Sequence, residues 1–386
     1  MESIHVYSRY NSTMIQQSKK KYILVDVVPP TERKENAEYN LAETISLIHT
    51  YGEGTIIKII QRRSHPHPST YIGTGKAEEI ASIVKNHKVD VIILNAIAKS
   101  SQLFTLLSMY WSINPNIEVW DRVDLILHIF VKHARTSEAK LQIELASMRH
   151  MGPRMYGLSE ELGRQTGGIG GRGVGETNIE LMKRHWRDQM KRTSDQLNKL
   201  SKDRQLQLDR RRKQGFITVS IVGYTNAGKT SLFNLLTNKQ KLTKDVLFAT
   251  LDSVVGHLYL PAVNKQILIT DTIGFIRALP PSLIDAFKST LMESIHADLL
   301  LHIIDASDPQ MYKKIQTVET ILSELGIENK PILNVYNKAD NLTEDEIIDL
   351  KGKEGVIISV KEQAGIERLK KIILSLLFPS HTVLHV

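Results

Sequence analysis

Three short stretches bring together residue types that handle a phosphorylated base. The first is GYTNAGKT, 223–230, which matches G-x-x-x-x-G-K-[ST]. Glycines at Gly223 and Gly228 let backbone N–H groups of the loop, with Asn226, Ala227 and the following Ser231, wrap a phosphate. Lys229 can reach the β- and γ-phosphates, and Thr230 can offer its hydroxyl to Mg²⁺. The second is DTIG, 271–274, which closes the apolar run KQILIT. Asp271 is placed to hold the magnesium water shell, and Gly274 offers a backbone N–H to the γ-phosphate with no side chain in the way. The third is NKAD, 337–340, after the apolar run PILNVY. Guanine presents N1–H and N2–H₂ as adjacent donors, which the two oxygens of Asp340 can accept together; adenine offers no such pair. Asn337 can bridge toward the base and the phosphate loop, and the Lys338 stem can cover the base face. A turn at Ser359-Val360-Lys361, where the last strand should end, can aim the Val360 N–H at guanine O6.

These residue types imply a Mg²⁺-dependent hydrolysis of GTP to GDP and phosphate. Lys229, Thr250 and Gly274 are the residues expected at the reacting phosphate, and Thr230, Thr250 and Asp271 the metal set. Thr250 is chosen over Thr243 because it sits in the middle of the loop between the phosphate-loop helix and the next strands. Residue 275 is a phenylalanine, where many nucleotide hydrolases carry a glutamine that holds the attacking water. Nothing in DTIGFIR can serve as a base, since the Arg277 guanidinium stays protonated at neutral pH. Intrinsic turnover should therefore be slow.

The elements that must position these groups are alternating strands and helices. From residue 216 onward the pattern predicts a doubly wound α/β domain, 215–386, with FITVSIVG as the strand feeding the phosphate loop. Upstream, KKYILVDVV (20–28), GTIIKII (54–60) and VDVIILNA (89–96) read as buried strands, and YIGTGKAEEIASIVKNH as a strand, a glycine turn and a helix. They predict an N-terminal α/β domain over 1–132. Between the two, 133–214 reads as a helical hairpin: Leu141, Leu145, Met148 and Met151 at helical spacing, then a loop at 163–176 with seven glycines, then a basic segment of one or two helices. No apolar strand feeds the glycine loop and no GK[ST] closes it, which disfavours a second nucleotide site there.

Composition narrows the function classes. The chain has 386 residues and no cysteine, which excludes disulfides, thiolate nucleophiles and Cys-ligated zinc. No apolar run approaches the ~20 residues that span a bilayer, and the first residues lack a signal core. A cytoplasmic monomer without membrane insertion is the expectation. The formal net charge is +8, and residues 183–213 alone carry twelve Lys/Arg against four Asp/Glu. The whole excess therefore lies on one segment, which suggests a polyanionic partner, nucleic acid above all.

Taken with GYTNAGKTSLFNLL, LFATLD, DTIGFIRALPPSLIDAFKSTL and NKAD, the upstream segments YIGTGKAEEI, DRVDLILHIF, ARTSEAKLQIELA and GRGVGE make the chain resemble the HflX family of ribosome-associated GTPases. The resemblance runs over nearly the whole chain. It implies an N-terminal α/β domain with a long helical hairpin, then a P-loop GTPase domain. It further implies binding to the ribosome through the 50S subunit and its rRNA, with splitting or rescue of ribosomes in some members, and the 183–213 segment would face that RNA. In some related GTPases an asparagine at the position of Asn226 ligates K⁺ at the phosphates. The chain departs from the family pattern after Leu251-Asp252, where Ser253-Val254-Val255-Gly256 stands in place of Pro-Thr-Thr-Arg. Two other readings stay open: an RNA- or ribosome-binding module that uses GTP as a conformational timer, and an ATP-dependent RNA-remodelling protein, which Asp340 disfavours.

Overall fold

A computed structural model of the chain describes residues 19–165, 174–237, 239, 248, 253–277, 283, 291–327 and 329–379; for 153 and 155–179 it describes the backbone at most. The chain divides into two compact units, up to Leu125 and from Ile126 onward.

The first unit is a four-stranded parallel sheet in the order β2-β1-β3-β4. Its elements are β1 (Lys20–Val28), α1 (Lys34–Tyr51), β2 (Gly54–Arg62), α2 (Thr74–His87), β3 (Val91–Leu94), α3 (Ser100–Trp111) and β4 (Glu118–Trp120). The β1 core residues Ile23 and Val25 pack with Ile80 and Val84 of α2 and Leu106 and Tyr110 of α3. Strands buried on both faces read as continuous apolar runs, which is why KKYILVDVV was legible. One element was not foreseen and one expectation is corrected. Helix α1 had no counterpart in the sequence reading; its buried Ala37, Leu41, Thr44, Leu47 and Ile48 follow helical spacing, but Thr44 blurs the apolar stripe. Nor is there a strand at YIG: Tyr71 has φ 63 and pairs with His67 in an isolated bridge, so this is a tight turn before α2.

Helix α4 (Arg122–His133) straddles the division. In the second unit, α5 (Ser137–Gln165) packs against α6 (Val174–Lys213). The basic segment belongs to one continuous helix of 40 residues. Trp186, Thr193, Leu197 and Leu208 are its buried side, and the Trp186 indole donates to the Met148 carbonyl at 3.2 Å. The glycine-rich residues 166–173 lie outside the described residues.

The nucleotide-type domain has β5 (Thr218–Gly223), α7 (Lys229–Thr237), β6 (Val254–Leu260), β7 (Lys265–Asp271), α8 (Met292–His296), β8 (Leu299–Asp305), α9 (Met311–Glu324), β9 (Ile332–Asn337), α10 (Glu344–Lys351), β10 (Val356–Ile357) and α11 (Ile366–Leu377). The six strands run β10-β9-β8-β5-β7-β6, parallel except for β6, which pairs antiparallel with β7 at the edge. Strand β5 is central, with β7 on one side and β8 on the other, so strand order reverses at its carboxyl end. That is where open α/β sheets form a ligand crevice. Val219, Ile221, Phe233, Ile269, Leu301, Val335 and Ile373 are among the residues of one core beneath it.

Candidate functional site

Among the described residues, those predicted for the nucleotide lie at or just beyond the carboxyl ends of β5, β7, β9 and β10. The phosphate loop leaves β5 at Gly223, and α7 begins at Lys229. The helix start thus directs its positive end at the loop. Asn226 is exposed and takes φ 63, while Ala227 is buried. Ser231 continues into the first turn of α7.

Gly228 shows why the motif needs glycine. Its φ is +95, and a Cβ there would lie 2.2 Å from Asn337 Nδ2. Asn337 uses that nitrogen to donate to the Ala227 carbonyl at 2.9 Å. The end of β9 and the phosphate loop are thereby joined.

Lys229 is 7% exposed and its ammonium donates to the Tyr224 carbonyl at 2.6 Å. Burial pulls its pKa down to about 8, with the charge of Asp271 opposing the shift. The Thr230 hydroxyl donates to Asp271 Oδ2 at 2.9 Å, and Asp271 is fully buried at the end of β7. A hydroxyl and a carboxylate, both hard oxygen donors, thus meet beside the lysine, a set that suits Mg²⁺. Gly274 sits against them: an added Cβ would fall 2.7 Å from Lys229 Nζ and 2.8 Å from Thr225 Cγ2. Thr250, the third expected metal ligand, lies outside the described residues, as does Thr243.

Phe275 is 2% exposed. Its N–H donates to the Gly223 carbonyl at 3.1 Å, and its carbonyl accepts from Thr225 N–H at 2.7 Å. A one-bridge β pairing of Tyr224 with Phe275 results. The Tyr224 hydroxyl also accepts from Arg277 N–H at 2.6 Å. The segment after Gly274 is therefore stitched to the phosphate loop by backbone, with the phenyl ring packed away. Sequence reasoning missed Tyr224 and Thr225 in this role, because they occupy unconstrained positions of the motif.

At the base end, Asp340 Oδ1 accepts from Ser359 Oγ at 2.6 Å, and Lys361 Nζ lies 3.4 Å from Oδ2. The Ser359 hydroxyl, foremost, holds the Asp340 carboxyl below the usual carboxylate range. Ser359 and Lys361 thus orient the acid. The Val360 N–H donates to Asn337 Oδ1 at 3.1 Å and so braces Asn337. Lys338, in the left-handed region at φ 67, pairs with Asp305 at 2.6 Å, which holds its stem across the site.

Comparison with known proteins agrees with this geometry. Residues 38–131 match the family model described as GTP-binding GTPase N-terminal, 133–211 the GTP-binding GTPase Middle Region, and 218–338 the 50S ribosome-binding GTPase. The chain is 41% identical over 359 residues to the GTPase HflX of Caldanaerobacter subterraneus subsp. tengcongensis, covering 93% of this chain and 81% of the relative. It is 39% identical over 334 residues to the GTPase HflX of Escherichia coli strain K12, covering 86% and 77%. Among solved structures, that of SsGBP in complex with GDP aligns with TM-score 0.50 and 25% identity over 94% of this chain and 99% of the other. With the phosphate loop held by Asn337 and so close a similarity over its length to these relatives, this chain belongs to the HflX family of P-loop GTPases.

Proposed function

We propose that this GTPase reads guanine through Asp340 and works on the ribosome, with the large subunit and its RNA completing a switch that is catalytically poor by itself. The observation that carries this reading is Phe275. Its ring is buried and both its backbone polar groups are bonded to the phosphate loop. The residue after Gly274 therefore has nothing with which to align a water.

In the proposed reaction, water attacks the γ-phosphorus in line and the bond to the β-phosphate oxygen breaks. Lys229 stabilises charge on the β- and γ-phosphate oxygens, and the loop N–H groups between Gly223 and Ser231 hold the leaving diphosphate. Gly274 N–H faces the γ-phosphate. Thr230, Asp271 and Thr250 would hold Mg²⁺, which supplies charge neutralisation across the two phosphates. Asn226 is the residue that would take K⁺ as a further fixed charge. Comparing turnover in potassium and in sodium tests this; equal rates reject it.

Helix α6 supports the RNA contact. Arg184, Lys191, Lys202 and Lys213 are exposed and fall along one side of the helix. A row of cations on a rigid rod can follow a phosphate backbone. We read the chain accordingly as an N-terminal domain (1–132), an RNA-facing hairpin (133–214) and the GTPase domain (215–386), acting as a monomer in the cytoplasm. Among the described residues no helix is long and apolar enough to cross a membrane. Splitting or rescue of ribosomes is the cellular role this would serve.

The test is GTP turnover titrated with 50S subunits, intact ribosomes and free RNA at saturating GTP. Strong stimulation by large subunits is expected. Equal rates with and without them sink the proposal. Substituting Lys229 separates an engine from a timer: if subunit binding and the cellular effect both persist, GTP serves only as timing.

A further inference from the structure

The positive charges of α6 do not all face outward. Arg204 and Arg211, seven residues apart, lie on its inner side and converge on one carboxylate. Arg204 Nη2 and Arg211 Nη1 each sit 3.5 Å from Glu293 Oε1. Glu293, in α8, is 3% exposed. The Arg204 guanidinium has two further partners. Nη1 donates to Glu138 Oε2 of α5 at 3.0 Å, and Nη2 donates to Ser253 Oγ.

The positions of these partners in the chain matter. Ser253 follows Asp252 and stands three residues after Thr250; Glu293 lies on the far side of the segment that begins at Gly274. One guanidinium thus grips the exits of both segments whose arrangement depends on a γ-phosphate in P-loop GTPases. Among the described residues, Glu293 Oε2 and Arg211 Nη1 have no hydrogen-bond partner. The carboxylate is held by charge at ion-pair distance, without the directional bonds that would lock it. Inside the protein such attraction is little screened, and Arg204 contacts Glu138, Ser253 and Glu293 at once.

We propose that Arg204 is a positioning residue that couples the nucleotide state of the two switches to helix α6, through Ser253 and Glu293. A change at the γ-phosphate moves Ser253 or Glu293, Arg204 follows, and the register of α6 on α5 changes through Glu138. The reverse route carries strain from a polyanion docked on the outer face of α6 back to the switches. The inference rests on the proposed placement of Thr250 and Gly274 at the γ-phosphate. It does not depend on which RNA is bound.

Amide hydrogen exchange across 197–213 of the full chain tests it, comparing GDP with a non-hydrolysable GTP analogue. In the wild type, exchange in this segment should differ by at least about two-fold between the two nucleotides. Ser253→Ala and Arg204→Gln should each abolish the difference, and Asn198→Ala, at an exposed position of the outer face, should retain it. Fluorescent-nucleotide binding is measured on the same samples. Loss of nucleotide binding by the wild type would overturn the site reading itself. Intact binding with no exchange difference in the wild type, or a full difference surviving in Ser253→Ala, would overturn the coupling alone. If Arg204→Gln fails to fold, Ser253→Ala decides, because it removes only a hydroxyl.

Discussion

Gly274→Ala adds one methyl group at the point where the phosphate loop and the switch meet. Its Cβ would come within 2.7 Å of Lys229 Nζ, 2.8 Å of Thr225 Cγ2 and 3.0 Å of Thr225 Cα. None of these neighbours yields easily. Lys229 is buried and bonded to the Tyr224 carbonyl, and Thr225 N–H is bonded to the Phe275 carbonyl at 2.7 Å. Reaching ordinary van der Waals distance requires the two segments to part by several tenths of an ångström, which also stretches the Phe275 bridge. Overpacking of this kind costs about 1–3 kcal/mol. If the cost falls on the triphosphate-bound switch, turnover drops roughly 5- to 150-fold. GDP affinity should change little, because in the proposed reading Gly274 serves the γ-phosphate, which GDP lacks. Single-turnover GTP hydrolysis and fluorescent GDP binding, with thermal melts to check folding, give the answer. Turnover equal to wild type in a variant with unchanged stability would refute the packing argument.

Further outcomes follow from the same geometry. Asp340→Asn replaces an acceptor pair with one acceptor and one donor, costing ~1–3 kcal/mol of base discrimination, or roughly 5- to 150-fold. Competition between GTP and XTP should then swing toward xanthine, and an unchanged guanine preference would argue against Asp340 as the reader. His302, 3% exposed on β8, has its pKa lowered to about 4 by burial. The unfolded chain takes up this proton below about pH 6.5 and the folded one only near 4, so stability falls as pH drops through that window. The full loss is about 3 kcal/mol. His302→Asn should flatten the decline in melting temperature between pH 7 and 4.5; parallel curves for the two proteins would count against this account.

Much of the site was readable before any fold was known, because each motif couples residue identity to backbone demand. Gly228 must be glycine where φ is +95 and Asn337 crowds the Cβ position. Lys229, Asp271 and Asp340 are chemically hard to replace. The apolar runs ending at Gly223, Asp271 and Asn337 marked the strands that carry them, since parallel strands are buried on both faces. Less regular elements were not legible. Helix α1 dilutes its apolar stripe with Thr44, and Tyr71 breaks an apparent strand by entering the left-handed region.

Only the tertiary structure decided which partners these residues take. The Val360 N–H goes to Asn337, Ser359 orients Asp340, and Phe275 is stitched to the phosphate loop. Each contact joins residues far apart in the chain through backbone groups or small hydroxyls, which leave no spacing to read. The same holds for α6. The sequence alone determined that 183–213 is basic and helical in pattern; helix packing divided its charges. Outward-facing cations remain for a polyanion, while Arg204 and Arg211 turn inward to the buried Glu293. Helical periodicity can place residues on a common face, but which face is buried depends on what the rest of the chain folds against it.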